Sequence, residues 1–242
     1  MACWTLAAWL MSAAPVCAAP AQADPADALY ANRLSLPDAQ RAAALWQRRL
    51  SGQPGDFEAA WRLGRAGYWL GEHLPTVDAR VAAFETGMDA AHKAIAAQAG
   101  RPEGYFWLAA NMGGLAELKG LRAGIKYRTP VRQNLEKVLS IDPAFQQGSA
   151  DRALGRWYFK VPGLFGGSNR KSEEYLRKSL TYNPQSISSR YFLAETLEDM
   201  GRKADAISTL RGIEALAVDP DWAPEDAEFK QKARALLAKL MQ

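Results

Sequence analysis

The residues best suited to chemistry sit in one loop, Gly163-Leu-Phe-Gly166-Gly167-Ser-Asn-Arg-Lys171-Ser172. A glycine-rich run closing on Lys-Ser is the pattern with which backbone N–H groups wrap a phosphate, and it needs Gly directly before the Lys. Here Arg170 holds that place, and the preceding stretch has helical spacing, not strand spacing. The loop therefore reads as a tight connection between helices in which Gly supplies positive φ. His73 and His92 are the only histidines, and no H-E-x-x-H or Cys/His cluster surrounds them, so no zinc constellation is expected. No G-x-S-x-G elbow is present, which removes the α/β-hydrolase nucleophile. Asp and Glu are scattered, and a hydrolytic carboxylate pair would declare itself only through geometry. The expectation is a protein that is no enzyme and needs no cofactor; an all-helical hydrolase stays as a rival.

What the sequence concentrates is aromatic rings and arginine. Trp61, Arg65, Tyr68 and Trp69 fall in one short run, and Phe106, Arg152, Arg156, Phe159 and Tyr191 recur at matching places in later helices. Binding surfaces enrich these types. Rings give apolar contact with little rotamer entropy to lose, and Arg adds bidentate recognition of carboxylate or phosphate. Such a set suits an anionic amphipathic ligand, small molecule or peptide. Its rival is that Trp61 and Trp69 are core residues between helices. Charge is segregated too. Lys119, Arg122, Lys126, Arg128, Arg132 and Lys137 face one acid, Glu136, while Glu195, Glu198, Asp199 and Asp205 gather further on. Lys126, Arg128, Pro162, Gly166 and Gly167 are expected to form the rim of the groove; a solvated face gives a similar charge run.

The elements that would position these residues follow from a repeat. In a tetratricopeptide unit of roughly 34 residues, two helices pack through small side chains and a proline closes the second. The clearest copy begins at Ile187: Leu193, Ala194 and Leu197 mark its first helix, Gly201 the turn, and Ala206, Leu210 and Ile213 the second. Reading back from prolines gives further second helices: Ala42, Trp46 and Arg49 before Pro54, Val131, Leu135 and Val138 before Pro143, and Ser172, Leu176 and Ser179 before Pro184. Pro102 reads as another helix end, out of register. Their first helices carry Leu63-Gly64, Leu108-Ala109 and Leu154-Gly155. The fold class is thus all-α: a tetratricopeptide-like helix-pair solenoid of about four to five pairs. Enlarged inter-helix loops are expected over residues 72–86, 113–130 and 160–171. Phe229, Ala233, Leu236, Leu237 and Leu240 have the spacing of a C-terminal capping helix.

Residues 1–23 carry no charged side chain, and Ala21-Gln22-Ala23 has the form of a cleavage site. They read as a secretory signal peptide ahead of a single helical domain over 24–242. The prolines within that stretch argue against a membrane span. Both cysteines, Cys3 and Cys17, lie in it, so the exported chain would form no disulfide. Cys17 as a lipidated anchor is the lesser alternative, since Val16 is a poor residue before a lipobox cysteine. The net charge of +4 in an exported protein points to acidic ligands or proteins and away from nucleic acid.

Four segments taken together resemble a known family: Phe57–Gly71, Gly104–Asn111, Gly155–Ser168 and Arg190–Glu195. Their pattern and order are similar to the T-component (TatT) family of TRAP transporters, and the middle and C-terminal part is similar to the regulators of microtubule dynamics. The first resemblance implies a periplasmic tetratricopeptide-like protein assisting a solute-binding protein in organic-anion uptake. On that reading the partner is a protein or an anionic amphipathic ligand, with self-association into a homo-oligomer left open. A carrier enclosing a small amphipathic or hydrophobic molecule is the second reading.

Overall fold

The computed structural model describes residues 24–242; segment 1–23, with both cysteines and the expected cleavage site, lies outside the described residues. The helices are α1 (Pro25–Ala31), α2 (Leu36–Gly52), α3 (Phe57–His73), α4 (Val77–Ala97), α5 (Pro102–Lys119), α6 (Leu121–Ile141), α7 (Phe145–Lys160), α8 (Asn169–Tyr182), α9 (Ile187–Asp199), α10 (Lys203–Glu214) and α11 (Ala223–Leu240). Two short 3-10 turns, Gly163–Phe165 and Pro220–Trp222, join them, and no strand occurs among the described residues. Local chemistry sets many starts. Asp24, Asp56, Thr76, Ser168 and Ser186 each accept a hydrogen bond from a backbone N–H of the first turn, satisfying donors the helix itself leaves free.

Sequential helices pack as pairs from α1/α2 to α9/α10, and α3, α5, α7 and α9 also touch in series. That is the stacking of a helix-pair solenoid. Val131, Leu135 and Val138 are buried, as are Leu193, Ala194, Leu197, Ala206, Leu210 and Ile213, so the repeat register is as expected there. Ser172 and Ser179 are also buried, and each bonds the next first helix, Ser172 to Thr196 and Ser179 to Ser189 at 2.9 Å. Small residues set the helix spacing. A Cβ on Gly67 would lie 2.6 Å from the Gly87 Cα, so α3 and α4 touch backbone to backbone. One on Gly155 would lie 2.6 Å from Leu176 Cγ.

Three expectations need correction. Arg49 is not the third core position of α2: Leu50 is buried there, while Arg49 bonds Asp56. Pro102 does not end a helix but opens α5, after α4 has stopped at Ala97; Pro is favoured at a first helical position because its missing N–H is not needed there. Finally, two of the enlarged loops are helix. Residues 77–86 begin α4, and 113–130 extend α5 and α6 with Gly120 (φ 77°) as the break. Only the third holds a long connection, residues 161–168 between α7 and α8.

Candidate functional site: a groove spanned by the C-terminal helix

The last helix does more than cover the final pair. Its second half packs on α9 and α10 through Ala233, Leu236, Leu237 and Leu240. Phe229 lies with its ring centroid 5.5 Å from Tyr191 and 5.1 Å from Phe192. Its first half reaches the opposite end of the array. Glu225 pairs with Arg33, Nε to Oε1 at 3.1 Å, and Arg33 Nη2 donates to the Asp221 carbonyl at 3.0 Å. Glu228 meets His73 Nε2 at 2.6 Å. Thus α11 runs from the last pair back to the first and spans the inner side of the stack.

The polar contacts are those of an imidazolium. His73 Nδ1 faces the Trp69 carbonyl at 2.7 Å and Nε2 faces the Glu228 carboxylate, two acceptors for two ring nitrogens. Desolvation works to lower the His73 pKa, but the Glu228 hydrogen bond and then the Trp69 carbonyl raise it. The same bond lowers that of Glu228.

The expected groove residues divide. Trp69 and Phe106 are core: they are 3% and 7% exposed. Trp69 stacks on His73 at 3.7 Å and donates to the Arg33 carbonyl, while Phe106 packs edge-on against Trp107 and Phe145. Both rings therefore take the core place that was the rival expectation for Trp69, and neither lies on an open face. Trp61 and Arg65 are half-buried, with Arg65 over the Tyr30 and Trp61 rings at 4.1 and 5.1 Å. Tyr68 packs on Phe84 and Trp107, and burial pushes its hydroxyl pKa far up. Arg156 pairs with Glu195 at 2.7 Å and lies over Phe192 and Phe159. Tyr191 stands beside Glu195 with its pKa raised to about 12, by burial first and then by that carboxylate.

The expected rim residues gather beyond the C-terminal end of α7. Arg128 lies 5.3 Å over the Phe165 ring, and its carbonyl accepts from Trp157 Nε1 at 2.8 Å. Gly167 N–H closes the loop onto the Pro162 carbonyl, and Gly166 is left-handed. Lys126 sits over Tyr127 on α6. This cluster follows the C-terminal end of α7, whereas Arg152 stands near the other end of that helix, and the structure does not bring them together.

Around Arg152 lies an open cavity of about 390 Å³ that no sequence feature marked. Its wall includes Gln146, Gln147, Arg152, Trp222, Glu225 and Asp226. Helix α7 opens there with three left-handed residues, Gln146 (φ 43°, ψ 50°), Gln147 (φ 58°, ψ 42°) and Gly148 (φ 80°, ψ 27°). Left-handed backbone costs a residue with a Cβ roughly 1–2 kcal/mol. Only Gly148 hinted at this turn in the sequence. Glu225, Asp226 and Glu228 at the start of α11 carried no sequence signal of where they would lie.

Among the described residues no group of three His, Cys, Asp or Glu side chains could hold a metal ion, and no helix is long and apolar enough to cross a membrane.

Residues 23–165 match the family model for Regulator of microtubule dynamics protein 1-3, a stretch covering more than half of the chain and lying nearer its N-terminus than the motif resemblance suggested. No curated protein matches the sequence. Among solved structures, a thermophilic TPR protein of Thermus thermophilus superposes with a TM-score of 0.64 at 21% identity, over 89% of this chain and 95% of that one. MamA from Desulfovibrio magneticus does so with a TM-score of 0.51 at 17% identity, over 78% of this chain and 93% of that one. At these identities the likeness is one of fold: a tetratricopeptide-like solenoid.

Proposed function

The chain belongs to the Regulator of microtubule dynamics protein 1-3 family, and from that premise we propose that it is a non-catalytic binding scaffold whose inner groove takes an acidic, amphipathic helical segment of a partner protein. The observation that carries this reading is the position of α11. An acidic helix start bearing Glu225 and Glu228, followed by Phe229, already spans the groove and meets Arg33, His73 and the Tyr191/Phe192 rings. Helix-in-groove recognition uses such spaced anchors. The chain thus supplies in cis the kind of segment that a partner would supply in trans.

The finer assignment, a periplasmic accessory to a TRAP-type uptake system, is supported by the uncharged apolar segment 1–23 and by the ordered motifs of α3, α5, α7 and α9. On this reading residues 24–242 form the exported domain and the partner is a solute-binding protein.

The test uses a synthetic peptide of residues 223–242 added to the full chain. In wild type the cis helix holds the groove, and the peptide binds weakly. In Phe229→Ala the cis helix loses its ring anchor, and the peptide should bind more tightly. Equal binding to both chains, or none to either, overturns the reading.

A further inference from the structure

The cavity beside α7 has features that the groove does not account for. Arg152 makes no hydrogen bond and no ion pair with any described residue, although its neighbours include two carboxylates. The residue is half-buried, so its donors stay open to whatever fills the cavity. Its surroundings desolvate it enough to bring its pKa down to about 10. Across the cavity, Asp226 is 8% exposed and commits one oxygen to the Asp219 N–H at 3.0 Å. Glu225 is already held by Arg33, so Asp226 is the carboxylate with capacity to spare. Gln146 Oε1 is buried and has no partner. Gln147 is fixed by accepting from Asn183 Nδ2.

Opposite charges are therefore held apart on the two walls, one on α7 and one on α11, without collapsing into an ion pair. The left-handed turn at Gln146 and Gln147 brings their side chains to the same cavity. Strain of this kind persists where the surroundings over-determine it, and it clusters at ligand sites. A ligand that fits must offer an anion to Arg152 and a hydrogen-bonding cation to Asp226, in a volume of about 390 Å³.

We propose that this cavity is a binding site for a small zwitterion of the α-amino-acid class, its carboxylate on Arg152 and its ammonium on Asp226. The carboxylate meets the planar guanidinium fork, which recognises it bidentately. The ammonium supplies donors to the Asp226 oxygen that the Asp219 N–H leaves free. Since one wall belongs to α7 and the other to α11, the ligand ties the bridging helix to the stack. The proposal rests on where α11 lies: a partner helix that displaced α11 would carry Asp226 away from Arg152.

The experiment is saturation-transfer NMR of the full chain with a mixture of the protein amino acids, followed by calorimetric titration of those that bind. Acetate and methylammonium serve as single-charge probes. At least one amino acid should bind saturably, with each single-charge probe weaker by about tenfold or more, since each forfeits one charge-assisted contact. Arg152→Ala and Asp226→Asn should each weaken binding by a similar factor while the circular-dichroism spectrum is retained. Arg152→Lys, which keeps the charge but loses the fork, serves should the alanine variant not fold, and it too should bind more weakly. No saturable amino acid, acetate binding as well as the amino acid, or unchanged affinity in a folded Arg152 variant would each overturn the proposal. Because no peptide is involved, its outcome is separate from the fate of the groove reading.

Discussion

The two halves of α11 are held by different physics. The second half is anchored by apolar burial: Ala233 and Leu240 are 4% and 6% exposed, in one cluster with Leu210 and Ile213. The first half is held by Arg33, Glu225, His73 and Glu228. Apolar burial is indifferent to pH and is released only by exposing the surface. The half-exposed His73–Glu228 pair is worth little and answers to salt and protonation, whereas the buried Arg33 holds Glu225 more firmly. The helix is therefore built as a fixed anchor with a releasable latch, and the latch is the end that closes the groove.

This contrast presupposes a fixed stack, and the largest effect expected tests that. Gly67→Leu would force side-chain atoms into the Gly87 backbone, which lies 2.6 Å from the added Cβ. Backbone cannot rotate away as a side chain can, so the cost falls at the upper end of overpacking, about 3 kcal/mol. Splaying α3 from α4 also carries His73 away from Glu228. Urea unfolding should show the loss. An unchanged midpoint would mean that α3 and α4 do not meet through their glycines.

The anchor comes next. Leu240→Ala removes a buried side chain near the end of the helix, where the site collapses easily, and should cost about 2–3 kcal/mol. Amide exchange along α11 should rise throughout, because the latch alone cannot hold it. If exchange rises only in the last turn, the latch is the stronger end and the contrast is reversed.

How far this can be read from the sequence varies with the kind of signal. The helix pairs are legible because Leu-Gly, Leu-Ala and the offsets before Pro143 and Pro184 encode close packing locally. The long α4, α5 and α6 look like loops in part because their extensions depart from the tetratricopeptide template while remaining good helix. Arg49 looks like core because a proline offset marks a face only to within one residue, and Leu50 wins the buried place. Trp69 shares a helical stripe with the half-buried Trp61 and Arg65, and a stripe does not say how closely the next helix approaches. The capping role of α11 is visible in Phe229, Ala233 and Leu240. Its reach to Arg33, across most of the chain, is not, because sequence periodicity carries no information about such long-range contacts.

Arg33→Ala separates the two ends. It removes the bonds to Glu225 and to the Asp221 carbonyl, and the guanidinium that lies 5.1 and 5.3 Å over the Tyr30 and Trp69 rings. Bonds to charged groups of this kind are worth about 1.5–3 kcal/mol, and since Glu225 retains some solvent the loss should be about 2 kcal/mol. Exchange should rise over the first two turns of α11 and stay constant over its last two. Uniform loosening would mean that the helix is one cooperative unit and the latch is no separate part.

The smallest effect is the pH dependence of the latch. The folded His73 pKa lies above its ordinary 6.5, held there by Glu228 and the Trp69 carbonyl against desolvation. Its stabilising contribution is therefore fully present below 6.5 and is lost as pH rises through the folded value. Glu228 is shifted the other way, below its ordinary 4.5, so its contribution is present above 4.5 and is lost as pH falls through the folded value. Between those two ordinary values the latch is strongest, and above neutral pH it weakens. Glu72 and Lys232 also face this pair: Glu72 favours the imidazolium and Lys232 the carboxylate. His73 and Glu228 are both partly exposed, which limits the gain to about 1 kcal/mol or less. Amide exchange at the start of α11, corrected for intrinsic rates, should thus be slower at about pH 6 than at about pH 9, while the Leu236–Leu240 end stays level. His73→Gln keeps a hydrogen-bonding side chain but no proton to lose in this range, so it should flatten the difference. A pH difference that survives in His73→Gln would place the titrating group elsewhere and remove the histidine from the latch.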